Sequence, residues 1–416
     1  MTVRRVAVTG LSLIDPQGES TEAYFARLLA GQSAITLHTT DDPPNGLRVP
    51  AVRCTGFDPL ARLDKPSLAT MDRYTQLGVA AAFEAWDQAG LPREPGQDLP
   101  EAGVAWGSAL GGTLAYEQGY RALWFEGQSR LSPLSVVQGM NNAASAQIGI
   151  HLGLGNASLT YTVACASAAT AIGEAFERIR HGQAKIMVAG GSDAPLAFAV
   201  IRAWEAMRVL APGDADTAPM ACRPFHAGRR GLVLAEAAAA LILEDWAHAE
   251  ARGAPILAEL VGYGVSTDHS HLVRPDAAGQ VRALRAALDQ GGLRAADIGY
   301  VNAHGTATRE GDPTEIAALR QVFGAHAETL PVSATKSMHG HGMGATGAVE
   351  AVITVLALQQ DALPPTAHLT EIDPACAGVL HLTTALRGSG VRAALSNAFA
   401  FGGSNAVLAF KAVHPV

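Results

Sequence analysis

The sequence predicts an α/β protein made of two similar halves, and two observations lead to this prediction. Small residues pass into an amphipathic helix at 162–181, and an apolar strand follows at 185–193. This alternation is typical of helices that pack on a sheet. The apolar residues at 256–265 then loosely repeat the opening strand at 6–12 together with its glycine. The repeat places the junction of the two halves near residue 255.

The composition is that of a globular protein that can bury a large core. Of its 416 residues, 48% are hydrophobic and 16% are charged, and this length favours two or three domains. The length and the repeat together predict an N-terminal half at 1–254 and a C-terminal half at 255–416. The net charge of −8 offers no broad basic face, so we do not expect nucleic acid as the main ligand.

The cysteines and the apolar runs indicate the cellular compartment of the protein. Its four cysteines lie far apart and form no CxxC pair: Cys54, Cys165, Cys222 and Cys376. This pattern argues against a structural zinc site and a dense disulfide framework, and it favours a reducing compartment such as the cytoplasm. The N-terminus lacks the apolar core and cleavage site of a signal peptide. The apolar runs near 233–243 and 351–358 are too short for membrane spans, so we expect no membrane partner.

In chain order, the first half begins with a buried strand at 5–14. Ser20 can cap the helix that is predicted next, at 23–30. Residues 38–60 are rich in Asp, Pro and Gly, and we expect them to form irregular surface. Apolar residues at helical spacing then predict a helix at 75–89, which ends before a glycine.

A strand that runs into a glycine loop is predicted at 103–112. The loop could cradle a phosphate, but it lacks the Lys-Ser/Thr pair of a P-loop and the following acid of a dinucleotide site. A tight turn with a close backbone approach is therefore the better interpretation.

The later elements continue the alternation of strands and helices. A strand at 237–243 precedes a helix that continues to residue 252. After the repeat of the opening strand, a helix at 278–290 and a strand at 298–304 follow. This order predicts a second α/β layer like the first.

Cys165 stands where an apolar run gives way to small residues ahead of the helix. A thiol at a helix N-terminus lies near the positive end of the helix dipole and near backbone N–H groups, and both favour the thiolate. The alternative is a small apolar residue in the core, as most free cysteines are.

Three C-terminal segments have compositions unlike those of segments that only pack in a core. The first, 301–312, brings a histidine onto a polar glycine turn; the second, 334–347, is rich in small residues around His339 and His341; the third, 396–405, is a loop flanked by glycines. The histidines have no carboxylate or cysteine at a recognisable ligand spacing, so we expect no bound metal. A cysteine with histidines distant in sequence is expected for covalent catalysis on an acyl group.

Taken together, these segments resemble the elongating β-ketoacyl-(acyl carrier protein) synthases of the thiolase superfamily. The resemblance covers almost the whole chain and is carried by 5–10, 29–33, 162–173, 223–225, 301–312, 336–347 and 397–405. It implies a thiolase-like αβαβα fold of five layers made of two similar halves. It also implies an acyltransferase that joins an acyl chain to malonyl carrier protein with loss of carbon dioxide.

The resemblance assigns roles to the reacting residues. Cys165 matches the nucleophile that takes the acyl chain, and His304 and His341 match the histidines that assist malonyl decarboxylation. A neutral imidazole N–H aimed at the thioester oxygen stabilises the charge that develops there. The backbone N–H groups of Cys165 and Phe401 match the oxyanion hole, and the Phe401 ring matches an aromatic gate. An ordinary buried phenylalanine is the alternative for that ring.

Other residues match supporting positions of the family. Lys336 matches a lysine near the histidines and Glu350 a carboxylate that can pair with it; a structural ion pair and direct proton transfer both remain open. Thr306 and Thr308 match threonines that line the phosphopantetheine tunnel. Leu110 matches the wall of the acyl pocket, where it could limit chain length. No tightly bound cofactor is implied, since the substrates are carried on the 4′-phosphopantetheine of acyl carrier protein.

The chain departs from the family pattern at a few positions. Ala400 replaces a glycine beside the gate, which predicts a less mobile gate loop. His226 and Arg230 replace acids, and His339 replaces a small hydroxyl residue. These changes keep the cysteine and both histidines, but they put a role identical to that of the standard fatty-acid enzyme in doubt.

Fatty-acid elongation is the leading hypothesis, and a ketosynthase of a type II polyketide or aryl polyene pathway, paired with an inactive chain-length subunit, is the alternative. A non-catalytic chain-length subunit would usually lack the cysteine at position 165. A biosynthetic thiolase would carry a second catalytic cysteine near its C-terminus. A starter-unit synthase would have one histidine and one asparagine instead of two histidines.

The resemblance also implies partners, namely acyl carrier protein and a second subunit in a homodimer or heterodimer. Because the carrier is acidic, it needs a local basic dock. The candidate docking residues are Arg62, Lys65 and Arg73, with Arg130 and Arg208 as further candidates. An ordinary solvated surface is the alternative for all of them.

Overall fold

Strands and helices alternate along most of the chain in the computed structural model, which describes residues 3–42 and 45–413. The strands are β1 (Val6–Leu13), β2 (Thr36–Thr40), β3 (Leu47–Val52), β4 (Ala102–Gly107), β5 (Ser158–Tyr161), β6 (Ile186–Asp193), β7 (Leu234–Ala235), β8 (Ala237–Asp245), β9 (Ala258–Thr267), β10 (Tyr300–Asn302), β11 (Pro331–Ser333), β12 (Ala362–Leu363), β13 (Leu380–His381), β14 (Leu386–Arg387), β15 (Ala393–Phe399) and β16 (Ser404–Lys411). The helices are α1 (Thr21–Leu29), α2 (Lys65–Leu68), α3 (Arg73–Gln88), α4 (Thr113–Trp124), α5 (Ser135–Gly139), α6 (Ala143–Leu152), α7 (Ser167–Arg180), α8 (Phe198–Ala206), α9 (Trp246–Ala251), α10 (Ala277–Gln290), α11 (Gly311–Phe323), α12 (Lys336–His339) and α13 (Thr346–Gln360).

The two halves of the chain repeat one sheet topology. The strand order is β1–β8–β6–β4–β5 in the first half and β9–β16–β15–β10–β11 in the second, where β13 adds an outer strand. In both halves the first two pairings are antiparallel and the next two are parallel. Strand β1 also pairs with β9, which joins the halves into one 11-stranded sheet. The predicted boundary between 254 and 255 lies in the connection from α9 to β9 and stays a prediction.

Helices cover both faces of the strands and separate the two halves. Helices α7 and α13 pack on each other and contact strands of both halves. Helices α3 and α6 cover the other face of the first half, and α10 and α11 cover that of the second. The layer order is α, β, α, β, α, in agreement with the expected fold.

The core explains why the middle helices differ in sequence from the outer ones. Residues 346–358 of α13 are all buried, because this helix lies between the strands of the first half and those of the second and has no solvent face. The apolar run at 351–358 thus belongs to a core helix. Among the described residues, no helix is long and apolar enough to span a membrane.

Most of the predicted elements begin and end within about two residues of the expected positions, including the helix that Ser20 caps. The prediction of irregular surface at 38–60 was wrong. Strands β2 and β3 form there and pair with each other, and β3 also pairs with β7 in a small separate sheet. Of the described residues, Asp41, Asp42 and Gly46 lie in the connection between the two strands. Strand β10 is also shorter than predicted and stops before the histidine.

Candidate active site

Cys165 lies in a strained turn between β5 and α7. The preceding residue, Ala164, has a φ of 48°, in the left-handed region that non-glycine residues seldom adopt. The Oγ atom of Ser167 donates to the Ala164 carbonyl over 2.6 Å and accepts from the Val163 N–H over 2.9 Å. These two bonds hold the turn in a conformation that strain would otherwise open. Cys165 consequently reaches the wall of a large cavity.

The thiol of Cys165 meets two imidazoles inside this cavity. The Nε2 atom of His341 lies 3.1 Å from Sγ, and the rings of His304 and His341 meet edge to face with their centroids 5.5 Å apart. The three donor atoms lie within 4.8 Å of one another. A thiol and two imidazoles are also donors that zinc accepts. The expectation of a site without metal therefore stays a prediction.

Buried contacts of its own backbone hold His304 in place. It follows β10, and the N–H groups of His304 and Gly305 each donate to the carboxylate of Glu315 on α11 over 2.8 Å. Asn397 donates to the same carboxylate over 3.0 Å. The sequence analysis missed Glu315, although an acid in the helix directly after a histidine turn was a usable signal.

His341 is oriented by a hydroxyl and by the backbone. Its N–H donates to the carbonyl of Val233 over 2.6 Å, and its Nδ1 lies 2.9 Å from Oγ1 of Thr346. With Nδ1 engaged by the hydroxyl, Nε2 faces the thiol. Burial, together with the charge of Lys336, holds the pKa of His341 and of His304 well below the usual range. Both imidazoles are therefore neutral near pH 7.

Lys336 and Glu350 form a fully buried ion pair behind the histidines. The Nζ atom of Lys336 lies 2.6 Å from Oε1 of Glu350, and it also donates to the carbonyl of His304. Burial raises the pKa of the Glu350 carboxyl, and the ammonium opposes this rise. Neither residue lines the cavity. Of the two roles left open, these contacts favour the ion pair.

The thiol itself differs from the sequence-based expectation of a stabilised thiolate. Burial raises the pKa of Cys165 to about 11, although the charge of Lys336 and the backbone N–H groups of Phe401 and Cys165 oppose the rise. The pKa is raised because of where the thiol lies. Helix α7 begins at Ser167, so Cys165 precedes its first turn, and the effect of desolvation on the thiol exceeds that of the helix dipole.

The cavity, about 630 Å³ in volume, gathers most of the predicted site residues. Its walls include Cys165, His304, His341, Thr306, Thr308 and Phe401. The hydroxyls of the two threonines lie 3.0 Å apart. Ala400 has extended backbone angles that any residue adopts, so its predicted effect on gate mobility stays a prediction.

Two predicted residues lie away from the cavity. Leu110 is not among the lining residues and packs instead beside a cluster that contains Ile201 and Met343. Its predicted role as a limit on chain length stays a prediction. His339 is buried and its Nε2 lies 2.9 Å from Oγ1 of Thr335, so it does not share the cavity with His341.

The mouth of the cavity is basic. Its lining includes four exposed arginines: Arg208, Arg230, Arg274 and Arg309. Within the part of the chain that the structure describes, none of them forms an ion pair with an acid. Of these four, only Arg208 was predicted as a docking residue, because the arginines come from loops that are far apart in the sequence.

Two of the predicted docking arginines are already engaged. Arg62 pairs with Glu84 over 3.0 Å. Arg73 lies 3.3 Å from the nearly buried Glu236 and donates to the carbonyl of Cys54 over 2.6 Å. These contacts argue against Arg73 as a docking residue, because its guanidinium already holds the segment of Cys54 and the segment of Glu236 together.

Comparisons with known proteins identify the family of the chain. The family model for the β-ketoacyl synthase N-terminal domain matches residues 3–249, and the model for the C-terminal domain matches 257–370. Nodulation protein E of Rhizobium meliloti (strain 1021) is 44% identical over 413 residues, covering 99% of this chain and all of that protein. The 3-oxoacyl-[acyl-carrier-protein] synthase 2 of Staphylococcus aureus (strain COL) is 37% identical over 411 residues, 98% of both chains.

Among solved structures, the ishigamide ketosynthase/chain length factor superposes with a TM-score of 0.90. It is 31% identical in sequence, and the match covers 99% of this chain and all of that chain. The likeness thus extends over the five layers and over every segment that contributes to the cavity.

Proposed function

Since the chain belongs to the β-ketoacyl synthase family and is an acyl-transferring condensing enzyme, we propose how its residues carry out the condensation. Cys165 holds an acyl chain as a thioester. A malonyl thioester enters the same cavity, loses carbon dioxide and attacks that acyl group. The observation that carries this proposal is the 3.1 Å contact of the Cys165 thiol with a neutral His341 beside His304.

The first step loads the acyl chain. Because the pKa of the thiol is raised, Cys165 attacks the incoming thioester while His341 takes its proton. The backbone N–H groups of Cys165 and Phe401, which oppose the rise in the pKa of the thiol, stabilise the oxyanion. The bond from sulfur to the acyl carbon forms, the bond to the carrier thiol breaks, and His341 returns the proton to that thiol.

The second step generates the carbon nucleophile, the enolate of the malonyl thioester. His341 takes part in this step in the tautomer that carries its proton on Nε2, while its Nδ1 accepts from the Thr346 hydroxyl. The imidazole N–H groups of His304 and His341 then donate to the carbonyl oxygen of the malonyl thioester, and this stabilises the enolate that remains when carbon dioxide leaves. The enolate carbon attacks the acyl group on Cys165, the bond from carbon to sulfur breaks, and the thiolate takes a proton from water. The role of Lys336 is to hold the turn of His304 through its carbonyl.

The carrier arm enters along the two threonines. Thr306 and Thr308 place neighbouring hydroxyls on the cavity wall, where they can exchange hydrogen bonds with an amide-containing chain such as phosphopantetheine. This arm is part of the substrate, and we propose no tightly bound cofactor. All four cysteines are free thiols, which suits action in the cytoplasm.

The partner that brings the arm is an acidic carrier protein. The exposed arginines at the cavity mouth supply the local basic dock that such a partner needs on a chain with a net charge of −8. Arg208 is retained from the predicted dock, and Arg230, Arg274 and Arg309 replace Arg62 and Arg73. Lys65 and Arg130 stay predictions.

The enzyme acts as a dimer through the outer edge of the first half. Strand β5 is the last strand of the sheet, so one of its edges is unpaired within the described chain. Helix α4 and the residue after it also expose large apolar side chains, with Trp124 71% and Phe125 82% accessible. A second copy, or a paralogous subunit, would cover both the edge and these side chains.

Mass spectrometry of the products tests the function. Purified enzyme with malonyl carrier protein and acyl carrier proteins of several chain lengths should extend each acceptor by two carbons, and Cys165→Ala should not. Cys376→Ala, a buried cysteine remote from the cavity, should retain activity. Full activity of Cys165→Ala would overturn the proposal. Repeated extension without reduction, only in the presence of a paralogous subunit, would favour the polyketide alternative.

A further inference from the structure

Residues 306–309, the threonine turn, lie on the cavity wall and contact the segment 229–231. Both threonines of this turn line the cavity. Ala307, which lies between them, has a φ of 62°, in the left-handed region that non-glycine residues seldom adopt. A backbone in such a conformation persists only where its surroundings hold it. The contacts between the two segments therefore decide where the two hydroxyls lie.

Three consecutive carbonyls of the threonine turn accept hydrogen bonds from the neighbouring segment. The N–H of Gly231 donates to the carbonyl of Ala307 over 3.1 Å. The Nε atom of Arg229 donates to the carbonyl of Thr308 over 2.8 Å, and its Nη2 atom donates to that of Arg309 over 3.0 Å. One side chain thus supplies two of these three bonds.

Further contacts anchor the guanidinium of Arg229. Its Nη1 atom donates to the carboxylate of Asp373 over 2.5 Å and to the carbonyl of His226 over 3.1 Å. The carboxylate of Asp312, near the start of α11, lies 3.6 Å from Nε. The side chain of Arg229 is only 3% accessible and does not line the cavity. It can therefore influence a bound substrate only through the residues that it holds.

The contacts of Arg229 need a guanidinium and not simply a positive charge. A guanidinium offers five N–H donors in a fixed planar fork, whereas the ammonium of lysine is a point charge. Three of the four hydrogen bonds described above go to backbone carbonyls, so charge pairing alone does not account for them. A lysine could keep the pair with Asp373 but would lose the fork that bridges two successive carbonyls of the threonine turn.

We propose that Arg229 is a positioning residue for the carrier arm. By holding the carbonyls of Thr308 and Arg309, it fixes the hydroxyls along which the arm enters. It also sets the backbone of two arginines of the cavity mouth, since Arg230 follows it in the chain and Arg309 accepts its hydrogen bond. The arm and the protein that carries it thus meet residues held by the same side chain. This inference rests on the proposed path of the arm along Thr306 and Thr308.

The variant Arg229→Lys separates this role from charge pairing. Its KM for malonyl pantetheine, at a fixed acyl acceptor, should rise about tenfold, the factor for one lost hydrogen bond, while kcat should change less than about threefold. Alkylation of Cys165 by iodoacetamide should be unchanged, because the thiol lies in a different turn. Arg252→Lys is the matched control and should keep the wild-type KM, since Arg252 also bridges a carboxylate and a backbone carbonyl but does not line the cavity.

A double-variant cycle distinguishes positioning from a general loss of stability. Thr306→Ala/Thr308→Ala removes the hydroxyls that Arg229 is proposed to place, so adding Arg229→Lys to it should raise the KM little further. An unchanged KM in Arg229→Lys, additive increases in the cycle, or loss of the folded protein in thermal unfolding would each overturn the inference. An active Cys165→Ala enzyme would instead overturn the proposed function.

Discussion

The Nε2 atom of His341 lies 3.1 Å from the Sγ atom of Cys165, although the two residues are 176 positions apart in the chain. Both groups are uncharged near neutral pH, because burial raises the pKa of the thiol and lowers that of the imidazole. The nucleophile is therefore a thiol that loses its proton only as it reacts, and this relationship has measurable consequences.

The alkylation of Cys165 should follow an alkaline profile. Because burial raises the pKa of the thiol to about 11, its rate with iodoacetamide should increase about tenfold for each pH unit between pH 8 and 10. Cys165→Ala supplies the background from the other three cysteines. A rate that levels off below pH 8 would show a stabilised thiolate and contradict the buried, uncharged pair.

Malonyl decarboxylation should depend on His304 and hardly on pH. Removing this donor in His304→Ala should slow the step by about a hundredfold or more. Since the pKa of both histidines is held well below the usual range, the wild-type rate should be flat from pH 6 to 8. His181→Ala, an exposed histidine, is the control. A clear fall in rate between pH 7 and 6 would mean that one imidazole is protonated there.

The Lys336–Glu350 pair should show strong energetic coupling. Lys336→Met leaves a buried carboxyl without its partner and should lower the free energy of unfolding by about 3–5 kcal/mol. The double variant Lys336→Met/Glu350→Leu should be less destabilised than the single one, because no buried charge remains. Urea unfolding of the wild type, both singles and the double measures the coupling; additive losses would exclude it.

Charge reversal at the cavity mouth should weaken carrier binding. In Arg230→Glu/Arg274→Glu/Arg309→Glu the KM for the carrier protein should rise about tenfold at low salt, and the difference should shrink as salt screens the charges. Activity with acyl and malonyl pantetheine, which lack the protein, should change little. Arg285→Glu, an exposed reversal on α10, is the matched control. An equal effect of that variant would show only a long-range charge effect.

The apolar face at the end of α4 should be needed for assembly. Trp124→Asp/Phe125→Asp places two charges on this exposed face and should shift the protein toward monomers. Analytical ultracentrifugation measures the distribution, and thermal unfolding confirms that the variant is folded. A variant that remains dimeric would place the interface elsewhere on the molecule.

Much of the fold followed from local patterns. Strand β1, helix α7 and strand β6 formed where hydrophobic periodicity and turn residues predicted them, since these signals act over a few neighbouring residues. Strands β2 and β3 were missed, because β2 pairs with β3 and β3 pairs in turn with β7, about 180 positions away. The composition of a segment does not predict a contact with a strand so distant in the chain.

By itself, the sequence determined the family and the two-half architecture, and it selected Cys165, His304 and His341 as candidate site residues, because these depend on residue types in short segments. Only the tertiary structure decided the burial of Cys165, its contact with His341 and the engagement of Arg73. Each of these depends on burial or on a partner from a distant segment. Desolvation and side-chain contact are properties of the packed molecule, and no single segment carries them.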